Sequence, residues 1–240
     1  IKFYLKHSTV DEMFKDKIVL DIGCGAGGKT VFYASKGVKK ITGIEILGKY
    51  KEEAENLAKE FNLQDKFEFV QGDAANMPFE NEAFDTIIMN DAMEHVDKPE
   101  MVLGECYRIL KKDGKLYLNF PPYNHPYGAH LSDAIGIPWV HVFFSEKTLI
   151  KTYKDLVKDL PDGKERIDFR ISKKEDGTEY FSYINKMSIK RANTILHNSS
   201  FELEYYSEEP LRSFFKYTAR IPFLKEFLVK MVVCVLRKMP

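Results

Sequence analysis

Short apolar runs recur along the first half of this chain, and each gives way to a stretch whose apolar positions fall three and four apart. Ile18, Val19 and Leu20 predict a buried strand, and residues 40–45 (KITGIE), 66–70, 84–89 and 115–120 predict four more. Helical spacing fills the gaps. Residues 29–36 predict one helix, and residues 49–61 a second with Ala54, Leu57, Ala58 and Phe61 on one face. A third carries Val102, Cys106, Ile109 and Leu110 on one face and ends at Lys111-Lys112-Asp113-Gly114. This alternation predicts an α/β fold on a parallel sheet.

The second half is less regular. Residues 187–198 predict a helix, residues 201–207 (FELEYYS) alternate like a strand, and residues 231–236 (MVVCVL) form the most apolar run near the end. A rival pattern overlaps that run. Phe223, Leu224, Phe227, Leu228, Met231, Val232 and Val235 also fall at helical spacing, with Lys225, Lys230, Arg237 and Lys238 at the polar edge, as in an amphipathic helix lying on a membrane. The β-branched valines favour the strand. Residues 121–186 are longer than a sheet connection needs to be, and predict a substrate cap inserted within a single domain spanning residues 1–240. Residues 162–178, charged and glycine-containing, predict an exposed turn or hairpin in that cap.

The chemistry concentrates at the strand ends. Residues 18–28, IVLDIGCGAGG, run from strand into a glycine turn, and the next helix would aim free N–H groups at whatever lies over that turn. Gly23, Gly25 and Gly28 also satisfy the dinucleotide pattern G-x-G-x-x-G, so an NAD-dependent oxidoreductase is a rival reading. Asp21 argues against it. A carboxylate there would repel a pyrophosphate but could hold an ammonium group or a water network. Glu45, about 20 residues past the glycines, can accept both hydroxyls of a ribose. Asp73, in Gln71-Gly72-Asp73-Ala74, can take the exocyclic amine of an adenine, and the fourth strand leads into Asn90-Asp91-Ala92-Met93-Glu94-His95. His95 reads either as a packing or capping residue or as a ligand contact.

In this order the motifs resemble those of class I S-adenosylmethionine-dependent methyltransferases, in the small-molecule, type 11 branch that includes quinone and sterol-type methylases. VLDIGCGAGG, GIE, GDAANMPF, FDTIIMNDAMEHV and the strand after KKDG carry the resemblance, over roughly residues 15–120. It implies a Rossmann-like, doubly wound seven-stranded sheet with a final antiparallel strand pair. By the same resemblance, Asp21, Gly23 and Gly25 would line the methionine part of S-adenosylmethionine, Glu45 its ribose, Ile46 and Ala74 the adenine faces, and Asp73 the adenine amine. Asn90 would lie beside the sulfonium.

Composition narrows the remaining choices. With 44% hydrophobic residues the chain can bury a sizeable core. Lys plus Arg and Asp plus Glu are equal at 36 each, so no overall basic field points to nucleic acid. Cys24, Cys106 and Cys234 lack metal-ligand spacing, so no metal site is indicated, and they suit a reducing, cytoplasmic setting. No signal peptide or spanning segment is evident, and the start at Ile1 leaves an upstream piece open. The expected partner is a small-molecule acceptor, with membrane contact through the C-terminal segment as a further expectation.

A sulfonium makes its methyl carbon electrophilic, so a methyltransferase mainly positions a nucleophile and excludes water. The expected acceptor atom is a hydroxyl oxygen, whose proton a histidine can take. His141, His130 and His125 in the cap are the candidate bases, His141 first because it leads into a segment resembling the helix over the family's site. Tyr123, Tyr127 and Trp139 are expected as apolar walls. A carbon acceptor, such as a quinone-like ring or lipid, and a non-catalytic binding module are the alternatives.

Overall fold

The computed structural model describes residues 1–215 and 217–240. A capped turn, α1 (Val10–Phe14), precedes the first strand; the Thr9 hydroxyl accepts from the Glu12 amide while the Glu12 carboxylate accepts from the Thr9 amide. β1 (Ile18–Ile22), α2 (Gly28–Ala34), β2 (Lys40–Glu45), α3 (Lys51–Glu60), β3 (Phe67–Gln71), β4 (Phe84–Asn90), α4 (Pro99–Ile109) and β5 (Leu110–Phe120) then follow in alternation. The next elements are α5 (Val140–Phe143), α6 (Glu146–Val157), α7 (Gly163–Arg170) and the hairpin strands β6 (Ile171–Lys173) and β7 (Glu179–Phe181). α8 (Ile189–His197), β8 (Glu202–Pro210), α9 (Pro222–Leu228) and β9 (Val229–Arg237) complete the chain.

The seven strands of the main sheet run in the order β3-β2-β1-β4-β5-β9-β8, and the last two form the antiparallel pair that the motifs implied. β1 to β5 are parallel, so their carboxyl ends share one edge, where an open α/β sheet binds its ligands. The apolar runs are the reason these strands lie in the middle. Val19, Leu20, Ile41, Ile87, Ile88, Leu116 and Leu118 are all buried, as strands covered on both faces require.

Two compact units divide the chain: residues 1–120, 193–207 and 233–240 in one, residues 121–192 and 208–232 in the other. The second has its own apolar cluster, built on Leu131, Leu149, Tyr153, Val157, Phe181 and Ile184. Residues 162–178, expected as a turn or hairpin, supply the helix α7 before the hairpin β6–β7. Ile167 of α7 packs against this apolar cluster, and ion pairs flank it. Arg166 donates to Asp162 one turn back (2.8 Å), and Arg166 and Arg170 both reach the Asp133 carboxylate (3.2 and 3.3 Å).

The C-terminal ambiguity resolves by position. Residues 222–228 are helical, but residues 229–237 form an inner strand with Val232, Val233, Val235 and Leu236 buried. Two of the cations assigned to a membrane-facing edge are engaged by the protein, Lys238 in its interior and Arg237 at its surface. Lys238 Nζ donates to the Leu110 carbonyl (2.7 Å), and Arg237 pairs with Asp113. Phe61, expected on the packed face of its helix, is exposed because α3 stops at Glu60. No helix among the described residues is long and apolar enough to cross a membrane.

Candidate active site

The first unit gathers the predicted cofactor residues at the carboxyl ends of adjacent strands. β1 extends through Asp21, which stands opposite Gly43 on β2 and Ile88 on β4 and is therefore buried inside the sheet. Thr30, in the first turn of α2, donates its hydroxyl to Asp21 Oδ2 (2.6 Å). Burial outweighs that bond and raises the Asp21 carboxyl to about 6, a value that a nearby ammonium would lower.

The glycine turn passes over this acid with left-handed backbone at Gly23 and Gly25 (φ 73° and 50°), and the space beside Gly25 is open. Cys24 folds inward onto β2. A side chain at Gly43 would place its Cβ 2.7 Å from the Cys24 sulfur, so the absence of one there lets the turn lie close to the strand.

Glu45 caps this arrangement. Its two carboxylate oxygens accept from the Gly25 amide (3.1 Å) and the Leu47 amide (3.0 Å), which fixes the group between the turn and the end of β2. A carboxylate offers about four lone-pair positions, so two remain for a diol. Ile46, next in the chain, is 63% exposed, as a hydrophobic residue waiting for an aromatic face would be. Asp73 lies just past β3, exposed, and accepts from the Ala75 amide (2.8 Å) in a tight turn that also presents Ala74.

Asn90 is held more firmly than the sequence suggests. It stands opposite Asn119 in the register of β4 and β5, so the two amides meet: Asn119 Nδ2 donates to Asn90 Oδ1 (2.6 Å). The Tyr4 hydroxyl donates to the same oxygen (2.6 Å) and accepts from Asn119 Nδ2 (3.0 Å), while Asn90 Nδ2 donates to the Tyr33 hydroxyl (2.8 Å). All four residues are buried. Tyr4, Tyr33 and Asn119 were missed because their partners lie far away in sequence. Glu94 was also missed, although it stands in the Asn90–His95 motif; it is buried, and burial raises its carboxyl to about 8.

The three histidines belong to the second unit. Tyr123 packs its ring against His141 (centroids 4.8 Å apart), and His125 Nδ1 accepts from the Tyr127 amide (3.2 Å). Burial and the neighbouring His141 pull His125 down to about 4. Burial also lowers His141, opposed by the nearby Tyr123 backbone, and among the described residues no hydrogen bond of ordinary geometry reaches either of its ring nitrogens. His130 is half-buried with a left-handed backbone (φ 51°). Trp139 also has a left-handed backbone (φ 56°), and its buried indole N–H has no hydrogen-bond partner among the described residues.

Residues 20–118 match the methyltransferase domain family. Residues 20–118 are thus similar to the methyltransferase domain, within the seven-stranded α/β fold that the strand order shows. The chain is similar to the sterol 24-C-methyltransferase of Saccharomyces cerevisiae, 35% identical over 102 residues, which cover 40% of this chain and 25% of that enzyme. It is likewise similar to the norajmaline N-methyltransferase of Rauvolfia serpentina, 34% identical over 99 residues, 41% of this chain and 34% of that one. The chain thus spans a quarter to a third of these relatives. In fold it resembles a methyltransferase from Methanosarcina mazei (TM-score 0.60, 22% identity, 95% of each chain). It also resembles the geranyl diphosphate C-methyltransferase of Streptomyces coelicolor A3(2) (TM-score 0.62, 13% identity, 99% of this chain and 77% of that one).

Proposed function

We infer that the chain transfers a methyl group from S-adenosylmethionine to a small, partly apolar acceptor, at a hydroxyl oxygen. The observation that carries the cofactor half of this reading is the Glu45 carboxylate, pinned by two amides with lone pairs to spare at the end of β2. Asp21, Gly23 and Gly25 would hold the amino acid end, Glu45 the ribose, Ile46 and Ala74 the adenine faces, Asp73 the adenine amine, and Asn90 the sulfonium end. The cofactor supplies an electrophilic methyl carbon. The chain's part is to hold the acceptor in line and keep water out.

An oxygen acceptor must also lose a proton. His141 suits that role, because its lowered basicity keeps it neutral at pH 7 and its ring nitrogens make no ordinary hydrogen bond among the described residues. His125, near 4, is the weaker base, and His130 is the third candidate. A carbon acceptor is the second reading, favoured by the names of the yeast sterol and Streptomyces geranyl diphosphate relatives. Three buried free thiols support a cytoplasmic setting.

Calorimetry with S-adenosylhomocysteine, the demethylated product, tests the cofactor half. Glu45→Ala should weaken binding by about 1.5 to 3 kcal/mol, and unchanged affinity overturns the assignment. For the acceptor half, a panel of phenols, hydroxyquinones and sterols is incubated with labelled cofactor, and the methylated atom is located by NMR. His141→Ala should lower turnover by roughly 10² to 10⁴ with product affinity kept and partial recovery at high pH. Full activity in all three histidine variants refutes the base.

A further inference from the structure

β4 is separated from β3 by both β2 and β1, so residues 72–83 must pass two strands, and they do so without a helix, whereas α2, α3 and α4 make the other crossings among β1 to β5. Backbone outside a helix must find its hydrogen-bond partners elsewhere. Two side chains of α4 supply them here. Glu105 and Arg108 stand one turn apart and pair as a fork, with Arg108 Nε donating to Glu105 Oε1 and Nη2 to Oε2, each at 2.8 Å. The pair also takes hold of Met77, whose N–H donates to Glu105 Oε2 (2.8 Å) and whose carbonyl accepts from Arg108 Nη2 (3.0 Å). Arg108 Nη1 reaches further along the segment, to the Phe79 carbonyl (2.7 Å) and Asn81 Oδ1 (3.0 Å). These bonds match the five N–H groups of a guanidinium.

The fastened point adjoins the residues proposed for the adenine. Asp73 Oδ1 accepts the Ala75 amide (2.8 Å) and the Asp73 carbonyl accepts the Asn76 amide (3.0 Å), so one tight turn connects Asp73 and Ala74 to Met77. Met77 is buried and Asp73 is exposed. The turn therefore projects from a buried anchor, and where the Met77 backbone is held sets where the Asp73 carboxylate stands. A lysine at 108 would keep the charge but not the hold, since three N–H groups on one nitrogen cannot span Glu105, Met77 and Phe79 together.

We propose that Glu105 and Arg108 are positioning residues for adenine recognition, holding the segment after β3 so that Asp73 stands where it accepts the adenine amine. The inference rests on the cofactor reading above and adds to it two residues of α4 that act through the segment. Support of the fold alone would show differently. Loss of mere support weakens every ligand alike, whereas a displaced Asp73 costs affinity only where an amine is there to be bound.

Calorimetry of the full chain with S-adenosylhomocysteine, and with the analogue that has hydrogen in place of the adenine amine, tests it. The parent should prefer the natural product by at least about tenfold. Arg108→Lys should reduce that preference to about twofold or less, by losing affinity for the natural product. Glu105→Gln, whose amide oxygen can still accept from Met77, should reduce it to about fourfold and gives the answer if Arg108→Lys does not fold. In the ligand-free protein, amide exchange at Ala75, Asn76 and Met77 should quicken at least about tenfold in Arg108→Lys, with Leu20 and Ile87 in the core unchanged. A parental preference in both α4 variants overturns the proposal. So does an equal loss of affinity for both ligands with faster exchange throughout the core, because the pair would then only support the fold. Asp73→Ala separates this from the cofactor reading: if it abolishes the preference while the α4 variants keep it, the proposal fails and the assignment of Asp73 stands. If Asp73→Ala keeps the preference, or the parent shows none, the assignment fails and the proposal with it.

Discussion

Lowering the pH from 7 to 5 should weaken binding of S-adenosylhomocysteine by about tenfold through Asp21 alone. Burial sets that carboxyl at about 6, and in the proposed site the product's ammonium would engage its ionised form. About ten-elevenths of the group is ionised at pH 7 and about one-eleventh at pH 5, so the apparent affinity follows that ratio, close to 1.4 kcal/mol. Binding at pH 5 should therefore release nearly one proton and at pH 7.5 almost none, which calorimetry in buffers of different ionisation enthalpy reads directly. Asp21→Asn should bind more weakly at pH 7 and show no slope between pH 5 and 7. A flat profile in the parent, or an unchanged slope in the variant, would refute the reasoning.

The same group acts with the opposite sign on the ligand-free fold. A carboxyl raised from 3.8 to about 6 on folding adds stability that is fully present below its unfolded value and is lost as pH rises through 6. The loss is on the order of 3 kcal/mol. Asp21→Asn should therefore raise the melting temperature of the empty protein at pH 7.5 while impairing ligand binding, a trade of stability against function.

Two further outcomes follow from the packing. Tyr4→Phe removes the hydroxyl shared by Asn90 and Asn119 and should cost about 1 to 3 kcal/mol in denaturant unfolding; a loss well under 0.5 kcal/mol would mean that water or another group replaces it. Gly43→Val should cost more than about 2 kcal/mol and disturb product binding, because its Cβ would stand within contact distance of Cys24; a neutral thermal shift would show that the turn can retreat without penalty.

The strands were legible because each is an apolar run closed by a polar group, and residues 40–45 coincide with β2. Asp21 and Glu45 were legible for the same reason, since a strand end fixes where its last side chains lie. The second unit was harder to read. Residues 163–170, GKERIDFR, carry no apolar stripe; the helix packs only Ile167 on the cluster and adds ion pairs of Arg166 and Arg170 to Asp133, which is remote in sequence. The Tyr4–Asn90–Asn119 cluster follows from strand register and an N-terminal turn, neither of which leaves a local pattern. At the C-terminus two periodicities overlapped, and burial beside β5 gave the valines to the strand.

The place of β9 in the sheet bears on how the molecule is made. β5 ends at Phe120, and the strand that covers its outer side is synthesised only after residues 121–228. Until then a nascent chain holds β1 to β5 with an open border that includes Leu116, Tyr117, Leu118 and Phe120, a template for pairing with a neighbouring nascent chain. The finished sheet ends instead at β8, whose Glu202, Glu204, Glu208 and closing Pro210 discourage another strand from joining. The open border therefore belongs to the half-made protein and closes only when β9 is made.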